Sequence, residues 1–592
     1  MLQFKVSTPQ EPPIMQLKSF AGINTSVTPT QINDNQSPDM LNFNVDERGA
    51  LNKRTGYKKI FDTPIDNASI TGLFEFRMNG INQMLIGCGD KFYRYENDKI
   101  ILINESLSGD RLDMFYIGDK AYFLNGRDYF SYDGSVCKTV EPYIPTISMS
   151  KDPAGGGTAL EDFNLLGSGF QDSFSADGVA KAFVLSLKNL DTTPIKVVVD
   201  AVEKVLTTDY TVDFETGIVT FIATPPKGTN NVVITAYKTQ AGFPERIKKC
   251  RFSTLFGGTN DTRVFVSGNP DFPNQIWASE LYNPTYFPEN RFYKIGSERE
   301  SVTGFSKQYD YLVIEKENSK GNMQYSLNTD GTASFPTKPL NDQIGTIATK
   351  SIQIVNNNPI SLSRNGVYTI VQSNVRDERN VVHVSANVDS KLLKEADLSK
   401  AVSVEYDKKY WLALNGKVYI YDYAIGEWYI YDNIPADCFI VFNGELHFGS
   451  NGYVYRFMQE YEDLAYTDDG QPINAYWTSK YLSFDADHLL KTVDKVYFTM
   501  KPDSRTSAAL YYTSNKKVSG LLKEKRNDQL DFLLFDFSFL SFVRSTFPQS
   551  EVVRVRAKKV THFQLKIVND KPEESLGILS IGIKYNYGSA VK

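Results

Sequence analysis

Tyr410-Trp411-Leu412-Ala413-Leu414 runs directly into Asn415-Gly416-Lys417-Val418-Tyr419-Ile420-Tyr421-Asp422. The stretch reads as strand, two-residue turn, strand. Asn-Gly supplies the positive backbone φ that a tight hairpin needs. The same phrase recurs along the chain, as Gly89-Asp90-Lys91-Phe92-Tyr93-Arg94-Tyr95-Glu96 and as Gly126-Arg127-Asp128-Tyr129-Phe130-Ser131-Tyr132-Asp133. It returns as Asn365-Gly366-Val367-Tyr368-Thr369-Ile370 and as Asn451-Gly452-Tyr453-Val454-Tyr455-Arg456-Phe457. Most copies follow another short apolar strand, such as Met84-Leu85-Ile86. Repeated hairpins of one kind point to a radial or stacked β architecture, most simply a β-propeller.

Composition agrees with a β scaffold. The 592 residues suffice for several domains, 41% are apolar, and 35 Tyr and 38 Phe suit half-buried pleated surfaces. Net charge is −6, so the chain as a whole is not a basic nucleic-acid binder. Cys88, Cys137, Cys250 and Cys438 are scattered without a CxxC pair, which argues against a zinc module or a disulfide framework. No apolar run approaches the length of a membrane-spanning helix, and Met1-Leu2-Gln3-Phe4-Lys5 lacks a secretory core.

The reading along the chain gives five parts. Residues 1–65 form an extended arm with a first strand near Asn42-Phe43-Asn44-Val45. Residues 66–149 hold the first part of the propeller. Residues 150–240 are an inserted β-sandwich, entered through a Gly-rich break at Pro153-Ala154-Gly155-Gly156-Gly157. Residues 241–465 complete the propeller, and residues 466–592 are a C-terminal β-sandwich behind a linker at Thr467-Asp468-Asp469-Gly470-Gln471-Pro472. Helix signal is confined to Asp389–Leu398 and Gly520–Asn527.

Chemistry is sparse. Asp485-Ala486-Asp487-His488 could contribute to a hard-cation site, but metals need several ligands, and a polar turn is the reading adopted. His383, His447 and His562 sit inside strand-like runs. There is no Gly-x-Ser-x-Gly elbow or HExxH, and the Gly155–Gly157 run lacks the Gly-Lys-Ser/Thr of a phosphate cradle. A propeller glycosidase would need two spaced carboxylates. Glu300, Asp310, Glu315, Glu405 and Glu427 are available, and context marks none of them. Trp411 and Trp428 read as blade core rather than a sugar platform. Arg554, Arg556 and Lys558, with Lys559 beside them, alternate along one strand and form a basic stripe. The stripe could meet phosphate or an acidic partner, or simply face solvent. The expectation is a non-enzyme with no catalytic, cofactor-binding or metal residue.

The arm carries the most specific text: Phe20-Ala21-Gly22-Ile23-Asn24-Thr25-Ser26, Asp34-Asn35-Gln36-Ser37-Pro38-Asp39-Met40-Leu41-Asn42, and Asp46-Glu47-Arg48-Gly49-Ala50-Leu51-Asn52-Lys53-Arg54-Thr55-Gly56-Tyr57. It resembles the opening of tailed-bacteriophage tail nozzle proteins, also called tail tubular or DNA-stabilisation proteins. Arg263-Val264-Phe265-Val266-Ser267-Gly268-Asn269-Pro270, Pro273-Asn274 and Asn283-Pro284-Thr285-Tyr286-Phe287-Pro288 form a second echo. The resemblance implies a β-propeller with accessory β domains. It implies a six-fold homo-oligomeric ring in the virion tail, synthesised in the host cytoplasm and docked to an adaptor or portal ring and to tail fibres or other tail proteins. Packaged DNA would pass through the ring without sequence recognition. The arm would knit neighbouring subunits or close the propeller. Two further readings stay open: a receptor- or glycan-binding tail-tip protein, and a propeller glycoside hydrolase.

Overall fold

The computed structural model describes residues 12–78, 80–257, 260–372, 379–518, 520–529 and 545–591. The protein is all-β, a β-propeller with an inserted β-sandwich and a C-terminal β-sandwich. The chain divides into two compact units, Thr71–Ile347 and Met1–Ile70 with Ala348–Lys592.

Within Thr71–Ile347, four antiparallel sheets of four strands follow in chain order. They open at Ile70–Met78, Asp113–Ile117, Phe252–Phe256 and Val302–Gln308. Each is an antiparallel meander, the fourth carrying a separate small hairpin (Ser326–Leu327 with Ala333–Ser334) before its last strand, Thr337–Asn341. Their cores are aromatic, with Phe92, Phe123 and Phe130 packing in the first two sheets. Between the second and third sheets lies the insert. It pairs a six-stranded sheet (Thr146–Lys151 to Val232–Tyr237) with a three-stranded one (Ala182–Val184, Tyr210–Asp213, Ile218–Phe221) around Phe170, Phe174, Phe183 and Phe221. The Gly155–Gly157 run is not a linker. It turns the chain between Thr146–Lys151 and Thr158–Ala159, which pair, and all three glycines have positive φ.

The other unit contains two more four-stranded meanders, from Gln353–Val355 to Arg379–His383 and from Val402–Tyr406 to Glu427–Tyr431. A last sheet begins Cys438–Phe442, Glu445–Ser450, Tyr453–Phe457. Asn415-Gly416 and Asn451-Gly452 form the tight turns with both φ positive, as the hairpin phrase requires. Asn365-Gly366 differs. Ser363 pairs Gly366, so the turn is Arg364-Asn365 and the glycine opens the next strand at φ +128°.

The arm is not a loose extended segment over residues 14–59. It supplies five strands: β1 (Ile14–Leu17), β2 (Asp39–Leu41), β3 (Phe43–Val45), β4 (Leu51–Lys53) and β5 (Tyr57–Lys59). β1, β3 and β4 join the sandwich sheet built on Leu489–Met500, Gln549–Val560 and Gly577–Ala590. β2 joins the facing sheet through Ala475–Thr478. β5 pairs antiparallel with Tyr453–Phe457 and becomes the fourth strand of the last blade. Thr467–Pro472 is likewise no linker: Thr467–Asp468 and Gln471–Pro472 form a hairpin on the far side of β5. Asp389–Leu392 is helical. Lys523–Asp528, which overlaps the second expected helix, is a strand paired with Arg505–Ser514.

Candidate functional site

The arm's side chains explain its sequence. Successive residues of an extended chain point to opposite sides, and Lys53 and Arg54 do so with opposite consequences. Arg54 uses its guanidinium fully. It meets both carboxylate oxygens of Asp468 at 2.7 and 2.6 Å. Its remaining donors reach Asn42 Oδ1 at 2.9 Å, the Asp432 carbonyl at 2.9 Å and the Thr55 carbonyl at 3.1 Å. Both partners of the ion pair are buried. A planar fork with five donors fits this bidentate geometry and an ammonium does not. Asn42 holds φ +55°. Its amide donates to Asp432 Oδ1 and the Asn474 carbonyl, and its Oδ1 also accepts from the Asp432 amide.

Lys53 turns into the sandwich, where Nζ donates to Asn569 Oδ1 (2.6 Å) and to the carbonyls of Lys571 and Glu574 (3.1 Å each). Burial pushes this ammonium down to about 7, from about 10.4 in an unfolded chain. Between those values the unfolded chain binds more protons than the folded one, so this group makes stability rise with pH above 7. Raising pH from 7 to 9 should add about 2 kcal/mol. Lys53→Met should lose that rise. Denaturant midpoints of both proteins across this range check it.

Where these elements meet, a cleft of about 610 Å³ opens. Asp46, Glu47, Tyr406, Lys409, Trp411 and Tyr461 are among its walls. Its charges are locally balanced: Lys409 lies 2.9 Å from Asp407 and 3.9 Å from Asp422, and Lys501 lies 2.9 Å from Asp46. Tyr461 stands 80% exposed at the rim. Trp411 is buried edge-on to Tyr431 and Phe457, and Trp428 is buried with Nε1 donating to the Val384 carbonyl.

The remaining residues singled out by sequence are dispersed. Phe484 and Asp485 hold positive φ in a turn, and Asp487 is 3.8 Å from His562. No cluster of three or more His, Cys, Asp or Glu that could hold a metal occurs among the described residues. His447 Nδ1 lies 3.0 Å from the Glu445 carbonyl. Burial pushes its ring below the usual histidine value. Sequence reasoning missed one juxtaposition, Ser385 with His383 and Asp389. It is not a relay. His383 Nε2 faces both Asp389 (2.8 Å) and Ser385 Oγ (3.2 Å), whereas a triad places serine and carboxylate on different ring nitrogens. Ser385 Oγ donates to Asp389 and accepts from the Val367 amide.

The five acids are likewise engaged singly or exposed. Glu300 accepts from the Asn318 amide and Ser319. Glu315 is fully buried against Lys320 and Thr346. Glu405 accepts from Tyr423, and Glu427 from the Gly22 amide. Asp310 lies exposed in a turn.

No family model matches the chain, and no curated protein matches it. Among solved structures it is similar to BBS1N, crystallised with ARL6DN, at 10% identity and TM-score 0.23 over 68% of this chain and 96% of that one. It is also similar to the dihydro-heme d1 dehydrogenase NirN, at 10% identity and TM-score 0.28 over 74% of this chain and 62% of that one. Hsv2 of Kluyveromyces lactis aligns at 9% identity and TM-score 0.24 over 61% of this chain and 97% of that one. None of these likenesses bears on function.

Proposed function

We propose that this chain is a non-enzymatic structural protein of a bacteriophage tail, a nozzle-type subunit. In this reading it forms a ring around the DNA exit channel, docks to an adaptor or portal ring, and retains and then passes the genome. The observation that carries the proposal is the use of the arm. The residues that resemble the nozzle family are the ones that bind the arm to the last blades and the sandwich. Phe20 packs edge-on to Trp477 at 5.4 Å. The Ile23 amide donates to the Trp428 carbonyl, and Ser37 Oγ to the Thr478 carbonyl. Asn42, Arg54 and Tyr57 complete the seam. The second echo is equally structural: Asn269 holds the Glu245 and Arg246 carbonyls, and Asn274 the Gly296 carbonyl. A mildly acidic subunit suits a conduit, because dense Lys and Arg along a lumen would grip the passing duplex.

The test is the mass of the purified chain and its presence in particles, with negative-stain images. A closed ring with a central hole, located at the tail, is the expected result. A stable monomer absent from particles overturns the proposal.

A second reading, a receptor- or glycan-binding tail-tip protein, rests on the cleft. Its charge-balanced polar walls and exposed Tyr461 suit a neutral saccharide better than an ion. Saccharide binding that Tyr461→Ala abolishes would favour it; a blank glycan screen would remove it.

A further inference from the structure

The basic stripe is larger than its strand. Along Gln549–Val560, Val553, Val555 and Ala557 point into the sandwich, and Arg554, Arg556 and Lys558 point out. Register extends the charge across the sheet. Arg554 stands opposite Lys495, and Lys495 opposite Lys584. Strands about 4.8 Å apart place these three cations in one row. Arg556 and Lys559 hold positive φ beside two register shifts, and bulges of this kind re-aim side chains. The two acids of these three strands are already engaged, Asp494 with Asn586 and Glu551 with Lys525. Arg554, Arg556, Lys558, Lys559, Lys495 and Lys584 have no acidic partner among the described residues. Exposed Val552 and Ile14 lie on the same side of the sheet, so the patch is amphipathic.

Cations on an edge strand ordinarily protect it from pairing. Lys495 and Lys584 sit one and two strands further in, where edge protection has no use for them. The charge is also segregated along the chain. Residues 466–592 carry 19 Lys and Arg against 14 Asp and Glu, whereas the propeller residues 66–149 and 241–465 carry 31 against 39.

We propose that the cationic face formed by Arg554, Arg556, Lys558, Lys495 and Lys584 docks on the acid-rich propeller portion of a second copy of this chain. The contact is head-to-tail: the basic C-terminal face of one copy meets the net-acidic propeller of the next. Heterologous contacts of this kind generate rings when the rotation closes. The inference rests on the ring reading above. Within that reading the face is covered by protein rather than turned to the lumen, since an open basic lumen would brake the genome.

The experiment compares the full chain with the triple variant Arg554→Glu, Arg556→Glu, Lys558→Glu by light scattering at low and high salt. A gel shift with a short DNA duplex runs in parallel. The three side chains are exposed, so the variant should keep the wild-type melting profile. A glutamine triple variant covers the case in which it does not. The expected result is assembly of the wild type at low salt, weakened by added salt and weakened roughly tenfold or more by the charge reversal. Assembly unchanged in the variant overturns this inference and leaves the ring reading standing. A wild type that is monomeric under every condition overturns both. Duplex binding by the wild type, lost in the variant while assembly persists, assigns the face to nucleic acid and overturns the proposal.

Discussion

Arg54→Met should destabilise the unit that contains the arm by about 3–5 kcal/mol, the range for breaking one side of a buried ion pair. The loss comes mainly from what is left behind. Asp468 is 2% exposed, and without the guanidinium its carboxylate keeps, among the described residues, only the Asn433 amide at 3.1 Å. Asn42 Oδ1 and the Asp432 carbonyl lose a donor as well. Arg54→Lys should cost nearly as much, because one ammonium cannot span two carboxylate oxygens and three further acceptors. The double variant Arg54→Met with Asp468→Leu should recover part of the loss, since it removes the unpaired charge. Hydrogen exchange over residues 42–59 and denaturant midpoints measure the effect. Protection should fall first in β5, whose place between Tyr453–Phe457 and Thr467–Asp468 the pair fixes. A single-variant loss below about 1 kcal/mol, the level of a surface pair, would mean that the pair does not anchor the arm.

The blades were legible because their signal is local. A turn of Asn415-Gly416 and the alternation on either side of it lie within about a dozen residues, and similar hairpins recur in several of the blades. The arm was not legible in the same way. Its partners lie up to about 570 residues away in sequence: Ile14 opposite Lys584, Tyr57 opposite Phe457, Ser37 on Thr478. Short polar strands such as Leu51-Asn52-Lys53 show no periodicity of their own, so residues 1–65 read as an extended arm. Thr467–Pro472 fails for a related reason. Its turn chemistry is correct for a hairpin, and only β5 decides that the hairpin joins a sheet. Lys523-Glu524-Lys525-Arg526 favours helix by propensity. Cross-strand pairing with Arg505–Ser514 outweighs that preference. In the candidate sites, the alternation of Arg554, Arg556 and Lys558 was visible within one strand. Lys495 and Lys584 enter through register alone, and no single segment encodes it. The cleft near Tyr461 is built from the arm, blade loops and Lys501, which no local pattern brings together.

Gly56→Ala should be the most damaging single-methyl change in the arm. Gly56 stands immediately before β5. A Cβ there would lie 1.7 Å from the Thr467 carbonyl oxygen and 2.4 Å from its carbon. Both atoms are backbone, so no side-chain rotation relieves the overlap. Either Thr467–Asp468 retreats from β5 or β5 retreats from the last blade. The first movement pulls Asp468 off Arg54 and removes the charge pair argued above. The second separates Tyr57 from Phe448, 4.9 Å away, and breaks its hydroxyl contact with the Asn433 carbonyl at 2.6 Å. The Gly56 amide also donates to the Ala465 carbonyl, and its own carbonyl accepts from Met458, so the residue is tied on both sides and cannot slide. A loss of more than about 3 kcal/mol is expected, in the class of changes that force backbone to move in a packed seam. Gly80→Ala is the matched comparison. It meets nothing within 4 Å, and the strain of its positive φ should cost roughly 1 kcal/mol. Thermal melts of the two variants separate the cases. If Gly56→Ala melts like Gly80→Ala, the close approach of β5 and Thr467 is not what holds the last blade to the arm.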